Sequence, residues 1–209
     1  MAKKKKDTTT AFSIRGFDMT HYRRTEAYTT AIENLYAKAT TEISNAVASG
    51  TYDPDKPFAF SDYPRIASYV KQVMSKLASN VQAVISEGSR REWLFACRKN
   101  DEFIKSIMDT AKLTKKRLEK MQDRNLDALK SFQARKVEGL DLSQRVWKYT
   151  DQYRAQLELG LDVGLGEGRS AQQLARDVKQ NLKDPDRLFR RVRDKRGNLQ
   201  LSKAAKAFH

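Results

Sequence analysis

Catalysis by the usual side chains has little to draw on in this 209-residue chain, which holds one cysteine, Cys97, and two histidines, His21 and His209. A single thiol excludes an intramolecular disulfide and any zinc site built on several cysteines, and it is consistent with a reducing compartment such as the cytoplasm. Two imidazoles exclude a histidine-rich metal centre. No run of 18 apolar residues occurs, so no transmembrane helix is predicted. Lys3 to Lys6 lead into Asp7-Thr8-Thr9-Thr10 rather than into an apolar stretch, which is not the order of a secretory signal.

Positive charge and helical patterning are what the chain has in quantity. Forty-one Lys and Arg stand against 26 Asp and Glu, a formal net charge of +15, so an anionic partner is expected: nucleic acid first, an acidic protein surface or a membrane behind it. The hydrophobic content of 39% is enough for a core. Residues 1–18 combine four lysines with a threonine run and read as a basic flexible arm. From Thr20 to Ser49, Ile32, Leu35, Tyr36, Ala39, Ile43 and Val47 recur at steps of three and four, predicting an amphipathic helix stopped by Gly50.

Asp53-Pro54-Asp55 and Pro57 predict an extended connection, and Pro64 a helix start with Ser61 or Asp62 as cap. Ile66, Tyr69, Val70, Val73, Leu77, Val81, Val84 and Ile85 form the stripe of that helix, which Gly88 is expected to close. Ser89 would then cap a third helix with Trp93, Leu94, Cys97, Phe103, Ile104, Ile107 and Met108 on its apolar side. A break is expected between Asp109 and Thr114, ahead of a charged segment from Lys112 to Lys136. Trp93 and Trp147 are assigned to the core.

Beyond Val137 the pattern changes. Ser143 is expected to cap a helix carrying Val146, Trp147, Tyr153, Leu157, Leu159 and Leu161. The four glycines between Gly160 and Gly168 should end or turn it, and Ser170 should open a short helix with Leu174, Ala175, Val178 and Leu182 inward, ended by Asp184-Pro185-Asp186. Leu188–Val192 and Leu199–Leu201, flanking Lys195-Arg196-Gly197-Asn198, predict a two-stranded hairpin. The fold class expected is mainly α, an elongated multi-helix bundle with a small C-terminal β-hairpin, organised as an arm (1–18), a long-helix bundle (19–136) and a C-terminal segment (137–209).

No catalytic, cofactor or metal residues are assigned. Gly164-Leu-Gly166-Glu-Gly168-Arg-Ser170 lacks the preceding strand, the spacing and the lysine of a phosphate-binding loop, so it reads as a helix, a glycine turn and a second helix. The pairs Asp53/Asp55 and Asp184/Asp186 lie beside prolines, where turn and cap duty outweighs acid–base chemistry. Eight cations crowd residues 187–206 against the single acid Asp194, a density that calls for a compensating surface. Candidate partner or DNA contacts are therefore Arg187, Arg190, Arg191, Arg193, Lys195 and Arg196, with Lys3, Lys4, Lys5 and Lys6 of the arm.

The run Leu142-Ser143-Gln144-Arg145-Val146-Trp147, the glycine turn Gly160–Ser170 and the stretch Leu188–Ala205 together resemble the Mu F-like family of phage head morphogenesis (minor head) proteins, in its Bacteroides-type branch. The resemblance covers Leu140 to His209; the first 135 residues match only in style. It implies a non-enzymatic structural protein of the virion, present in the host cytoplasm during assembly. Such a protein associates with the portal protein, the major capsid protein or both, with packaged double-stranded DNA as a further candidate contact and without cofactor or membrane, and takes part in head assembly and DNA packaging or ejection. Members continue into a Pro-Gly-rich segment and an Arg-Thr-Glu helix, so a fragment, a processed product or the ordered part of a longer protein is expected here. The alternatives are a stand-alone nucleic-acid-binding protein and, lacking a candidate base, an enzyme with an unrecognised site.

Overall fold

The computed structural model of the chain describes residues 13–53, 56–108, 112–170, 173, 174, 176, 191–193 and 199–201. These are mainly helical. In order come α1 (Ile14–Ala48), a 3-10 turn (Phe60–Asp62), α2 (Pro64–Ile107), α3 (Lys115–Met121), α4 (Leu126–Ala134), α5 (Leu142–Gly166), β1 (Arg191–Arg193) and β2 (Leu199–Leu201). They form two compact units, residues 13–30 with Val84–Arg135, and Ala31–Ala83 with the described residues from Lys136 onward.

Several element ends come directly from residue chemistry. The Ser13 hydroxyl accepts the Gly16 N–H at 3.1 Å, so α1 starts at Ile14, inside the stretch assigned to the arm; residues 1–12 lie outside the described residues. Threonines along α1 bond back to the carbonyl four residues earlier, as Thr25 does to His21 and Thr41 to Ala37, which keeps their hydroxyls satisfied within a helix. α1 stops at Ala48, next to Gly50, and α2 begins at Pro64 as its ring geometry favours.

α2 departs from expectation by running through Gly88 to Ile107 without interruption. A mid-helix glycine costs only about 1 kcal/mol relative to alanine, which packing overrides. A Cβ at Gly88 would rest in van der Waals contact with the Tyr28 ring, 3.4 Å from Cδ2, so the helix passes here against a packed aromatic side chain. Ser89 caps nothing; its hydroxyl bonds to the Ser86 carbonyl at 2.9 Å. The break expected between residues 109 and 114 does separate two helices: α2 ends at Ile107, and Thr114, extended at ψ 146°, precedes α3.

The second unit holds a continuous apolar core. Ala39, Ile43 and Val47 of α1, Phe58 and Phe60 of the connection, Val70, Val73, Met74, Leu77, Ala78 and Val81 of α2, and Val146, Tyr153, Leu157 and Leu161 of α5 are all buried. Steps of three and four bring each set onto one helix face. Trp147 lies one residue off the α5 stripe and is exposed, against its assignment to the core. Aromatic rings brace the connection: Tyr52 meets Phe58 edge-on at 5.1 Å, and Phe58 stacks on Tyr63 at 5.5 Å.

The first unit is built differently. Phe95 and Leu129 are its buried apolar side chains, while Phe103, Ile107 and Met108, assigned to an apolar face, are exposed. Polar contacts organise it: Glu92 receives Arg24 at 2.8 Å, His21 at 2.7 Å and the Tyr28 hydroxyl at 3.0 Å. Arg24 also lies over the Phe95 ring.

At the C-terminal end, Arg191–Arg193 pairs antiparallel with Leu199–Leu201 in the register Arg191↔Leu201. Residues 194–198 between them lie outside the described residues.

Candidate functional site

Among the expected contact residues, only Arg191 and Arg193 fall within described structure, side by side on β1 with Val192 between them. Lys3, Lys4, Lys5, Lys6, Arg187, Arg190, Lys195 and Arg196 lie outside the described residues, as do Asp55, Asp184 and Asp186. The segment that precedes the basic stretch is described from Asp141 to Ser170, with Gln173 and Leu174 beyond it.

α5 opens on a capping box. Asp141, extended at φ −73° and ψ 176°, accepts the Gln144 N–H at 2.8 Å, and the Gln144 side chain accepts the Asp141 N–H at 2.9 Å. Asp141 is the cap and Ser143, expected in that role, already lies in the first turn, because the reciprocal pair needs a Gln or Glu three residues on. The preceding turn brings Val137 opposite Leu140 through Glu138 and Gly139, both at positive φ. That sign pattern is the one a tight two-residue reversal requires.

The helix continues past Gly160 and ends at Gly166, within the Gly160–Gly168 interval where an end or turn was expected. Gly168 takes φ 66°, its N–H bonds to the Leu165 carbonyl at 3.0 Å, and the Arg169 N–H bonds to the Gly164 carbonyl at 2.9 Å. These two bonds are the Schellman closure, with glycine at the left-handed position. Ser170 then starts the next helix as expected: its hydroxyl accepts the Gln173 N–H at 3.4 Å while the Gln173 side chain accepts the Ser170 N–H at 2.8 Å. Leu174 is buried against Gly164, where a Cβ would overlap the leucine side chain. So Gly168 makes the turn, and Gly164 lets the two helices close on each other. Ala175, Val178 and Leu182, expected to face inward with Leu174, lie outside the described residues.

Compared with known proteins, the chain matches no family model, no curated protein and no solved structure.

Other polar groups of the second unit hold its helices. Thr40 and Tyr153 share a hydroxyl–hydroxyl bond at 2.5 Å, and Tyr36 meets Tyr153 edge-on at 4.9 Å. Burial pushes both phenols above their ordinary range, so they stay protonated and act as fixed polar pins. Asp162 and Glu158, one turn apart on α5, accept the N–H groups of Phe58 and Phe60, clamping the extended connection. Among the described residues no three His, Cys, Asp or Glu side chains group as a metal set, and no described helix is long and apolar enough to cross a membrane.

In the first unit Arg124 looks at first like one more surface cation. It pairs with the buried Asp101 at 2.6 Å, and its carbonyl accepts the Trp93 indole N–H at 2.8 Å and faces the Cys97 thiol at 3.8 Å. It is a strut between α2 and the segment leading to α4. Sequence reading could not distinguish it from its neighbours Lys116, Arg117 and Lys120, which are exposed on α3.

Proposed function

We propose that this chain is a structural minor head protein of a tailed phage, docking on the portal or inner capsid and taking part in head assembly and DNA packaging or ejection. The observation that carries the reading is the joint from Asp141 to Leu174. The capped helix, the Schellman stop at Gly168 and the Ser170 cap lie in the stretch whose residues resemble the Mu F-like family, and their geometry supplies the helix–glycine–helix joint that the resemblance implies. The basic stretch of the chain lies on the C-terminal side of this joint.

That side carries the small basic hairpin, β1 paired with β2, in the stretch with eight cations against one acid. Cations at this density lower the cost of lying against packaged DNA or an acidic subunit surface. The arm with Lys3 to Lys6 adds a second such contact.

Quantitative mass spectrometry of purified particles of the phage encoding the chain tests the reading. A fixed ratio to the portal subunit supports a virion component. Absence from both particles and procapsids overturns it and leaves the second reading, a free nucleic-acid-binding protein, favoured by the net charge of +15.

A further inference from the structure

The positive charge of this chain is not spread over its surface. Residues 3–7, 112–136 and 187–206 hold 21 of the 41 Lys and Arg but only 5 of the 26 Asp and Glu, leaving 20 cations and 21 acids in all the rest. The whole net charge therefore resides in three segments. The middle one, with nine cations and three acids, lies almost wholly within described structure and has no part in the hairpin or the arm.

Its centre is α3, Lys-Lys-Arg-Leu-Glu-Lys-Met, a seven-residue helix with no buried residue. Local physics disfavours it. Thr114 makes no side-chain capping bond, no acid occupies the first turn, and Lys115, Lys116 and Arg117 stand where the helix dipole is already positive. Lys116 and Lys120 are like charges one turn apart, the spacing at which they repel. The ion pair Lys115–Glu119 offsets little at 3.9 Å with side chains 90% and 66% exposed. A local arrangement that opposes its own stability is the mark of a functional surface.

α3 is nevertheless carried on a fixed support. Arg124 is locked to Asp101 and Trp93, Leu129 of α4 is buried, and the Gln133 amide bonds to the Ser86 carbonyl and the Ser89 hydroxyl at 2.9 Å each. At 3.6 residues per turn, Lys116, Lys120 and Arg117 span an arc of about 100°, with Leu118 turned away from it. The helix is roughly 10 Å long at about 1.5 Å per residue, a length over which a DNA duplex presents about six phosphates.

We propose that the exposed face of α3 (Lys116, Arg117 and Lys120) docks the phosphate backbone of double-stranded nucleic acid without reading its sequence. Two features separate this partner from an acidic protein. Lysine is depleted at protein–protein interfaces, whose centres are aromatic and apolar, and α3 carries no aromatic residue. The same lack of a stacking ring argues against a single-stranded partner. The assignment rests neither on the hairpin nor on incorporation into a particle.

The test is fluorescence anisotropy of the full chain with 30-base-pair duplexes of two unrelated sequences over a range of salt. In the variant K116Q/R117Q/K120Q the slope of log affinity against log salt becomes shallower by about two to three units, equally for both sequences, and affinity at physiological salt falls by at least about tenfold. The control K38Q/K71Q/K76Q removes the same charge from the balanced part of the chain and leaves the slope near that of the wild type. Equal slope changes in the two variants overturn the proposal, because only total charge then matters. Polyglutamate binding as tightly as duplex, and lost in the α3 variant alone, overturns it in favour of an acidic polypeptide. Glutamine preserves helix formation; should the triple variant lose its far-UV circular dichroism, K116Q/K120Q is measured instead, with an expected change of about two units.

Discussion

The two units of this chain are stabilised by opposite means. Among the described residues, every buried apolar side chain except Phe95 and Leu129 belongs to the second unit, with Ile43, Val47, Leu157 and Leu161 fully enclosed. The first unit instead exposes Ile14, Met19, Tyr22, Phe103, Ile107, Met108, Leu126 and Phe132, and gathers around two carboxylates, Glu92 and Asp101. Apolar burial is insensitive to salt and pH, whereas ion pairs respond to both. One chain thus carries a part that should behave as a fixed body and a part whose order depends on solution conditions.

The strongest challenge to the contrast is a cavity. Leu157→Ala should destabilise the second unit by about 2–5 kcal/mol, whereas Ile107→Ala, on a side chain 62% exposed, should stay within about 0.5 kcal/mol. Urea denaturation of both variants decides it, and similar losses would remove the distinction. Next in size is the helix joint. Gly164→Ala drives a Cβ into Leu174 and should cost about 1–3 kcal/mol, while Gly166→Ala, which meets nothing within 4 Å, should be neutral or slightly stabilising. Thermal melts of the two variants separate these outcomes.

How legible this fold is in the sequence depends on which residues make each decision. Gly50, Pro64 and Ser170 act through their own backbone or side chain within a few residues, and the start and stop signals are correct there. Gly88 carries the same local signal as Gly50 yet lies inside a helix, because its fate is decided by packing that sequence spacing does not reveal. Asp141 was readable as a cap from its Gln144 partner, and Ser143 merely stood nearer the apolar stripe. Trp147 shows the limit of a wide stripe: one residue from buried Val146, it turns about 100° away from the core. For the candidate site, charge density was visible throughout, but only its pairing with the buried Asp101 separates Arg124 from the exposed cations of α3.

Glu92 probes the polar half of the contrast. Its carboxylate, 15% exposed, serves His21, Arg24 and Tyr28 at once, so Glu92→Ala removes three bonds, two of them from half-buried Arg24 and Tyr28, and should cost about 1–2 kcal/mol locally. Amide hydrogen exchange should quicken around residues 21–28 and stay unchanged at Leu157 and Leu161. Exchange rising equally in both stretches would mean that Glu92 supports the chain globally.

The smallest effect expected is a pH dependence at the surface of the first unit. Glu87 accepts Arg90 at 2.9 and 3.1 Å and Arg91 at 2.8 Å, and these bonds hold its carboxyl down to about 2. A carboxylate whose folded value lies below its unfolded one contributes stability above the ordinary carboxylate range. That contribution fades as pH falls from there through about 2. The group is exposed, so screening keeps the contribution small, and 1 M salt should move its titration back toward the ordinary value. Carbon-detected NMR titration of the Glu87 carboxyl gives the midpoint directly. A midpoint in the normal glutamate range at low salt would show that the two arginines prefer water to Glu87, and that surface pairs play no part in ordering this unit.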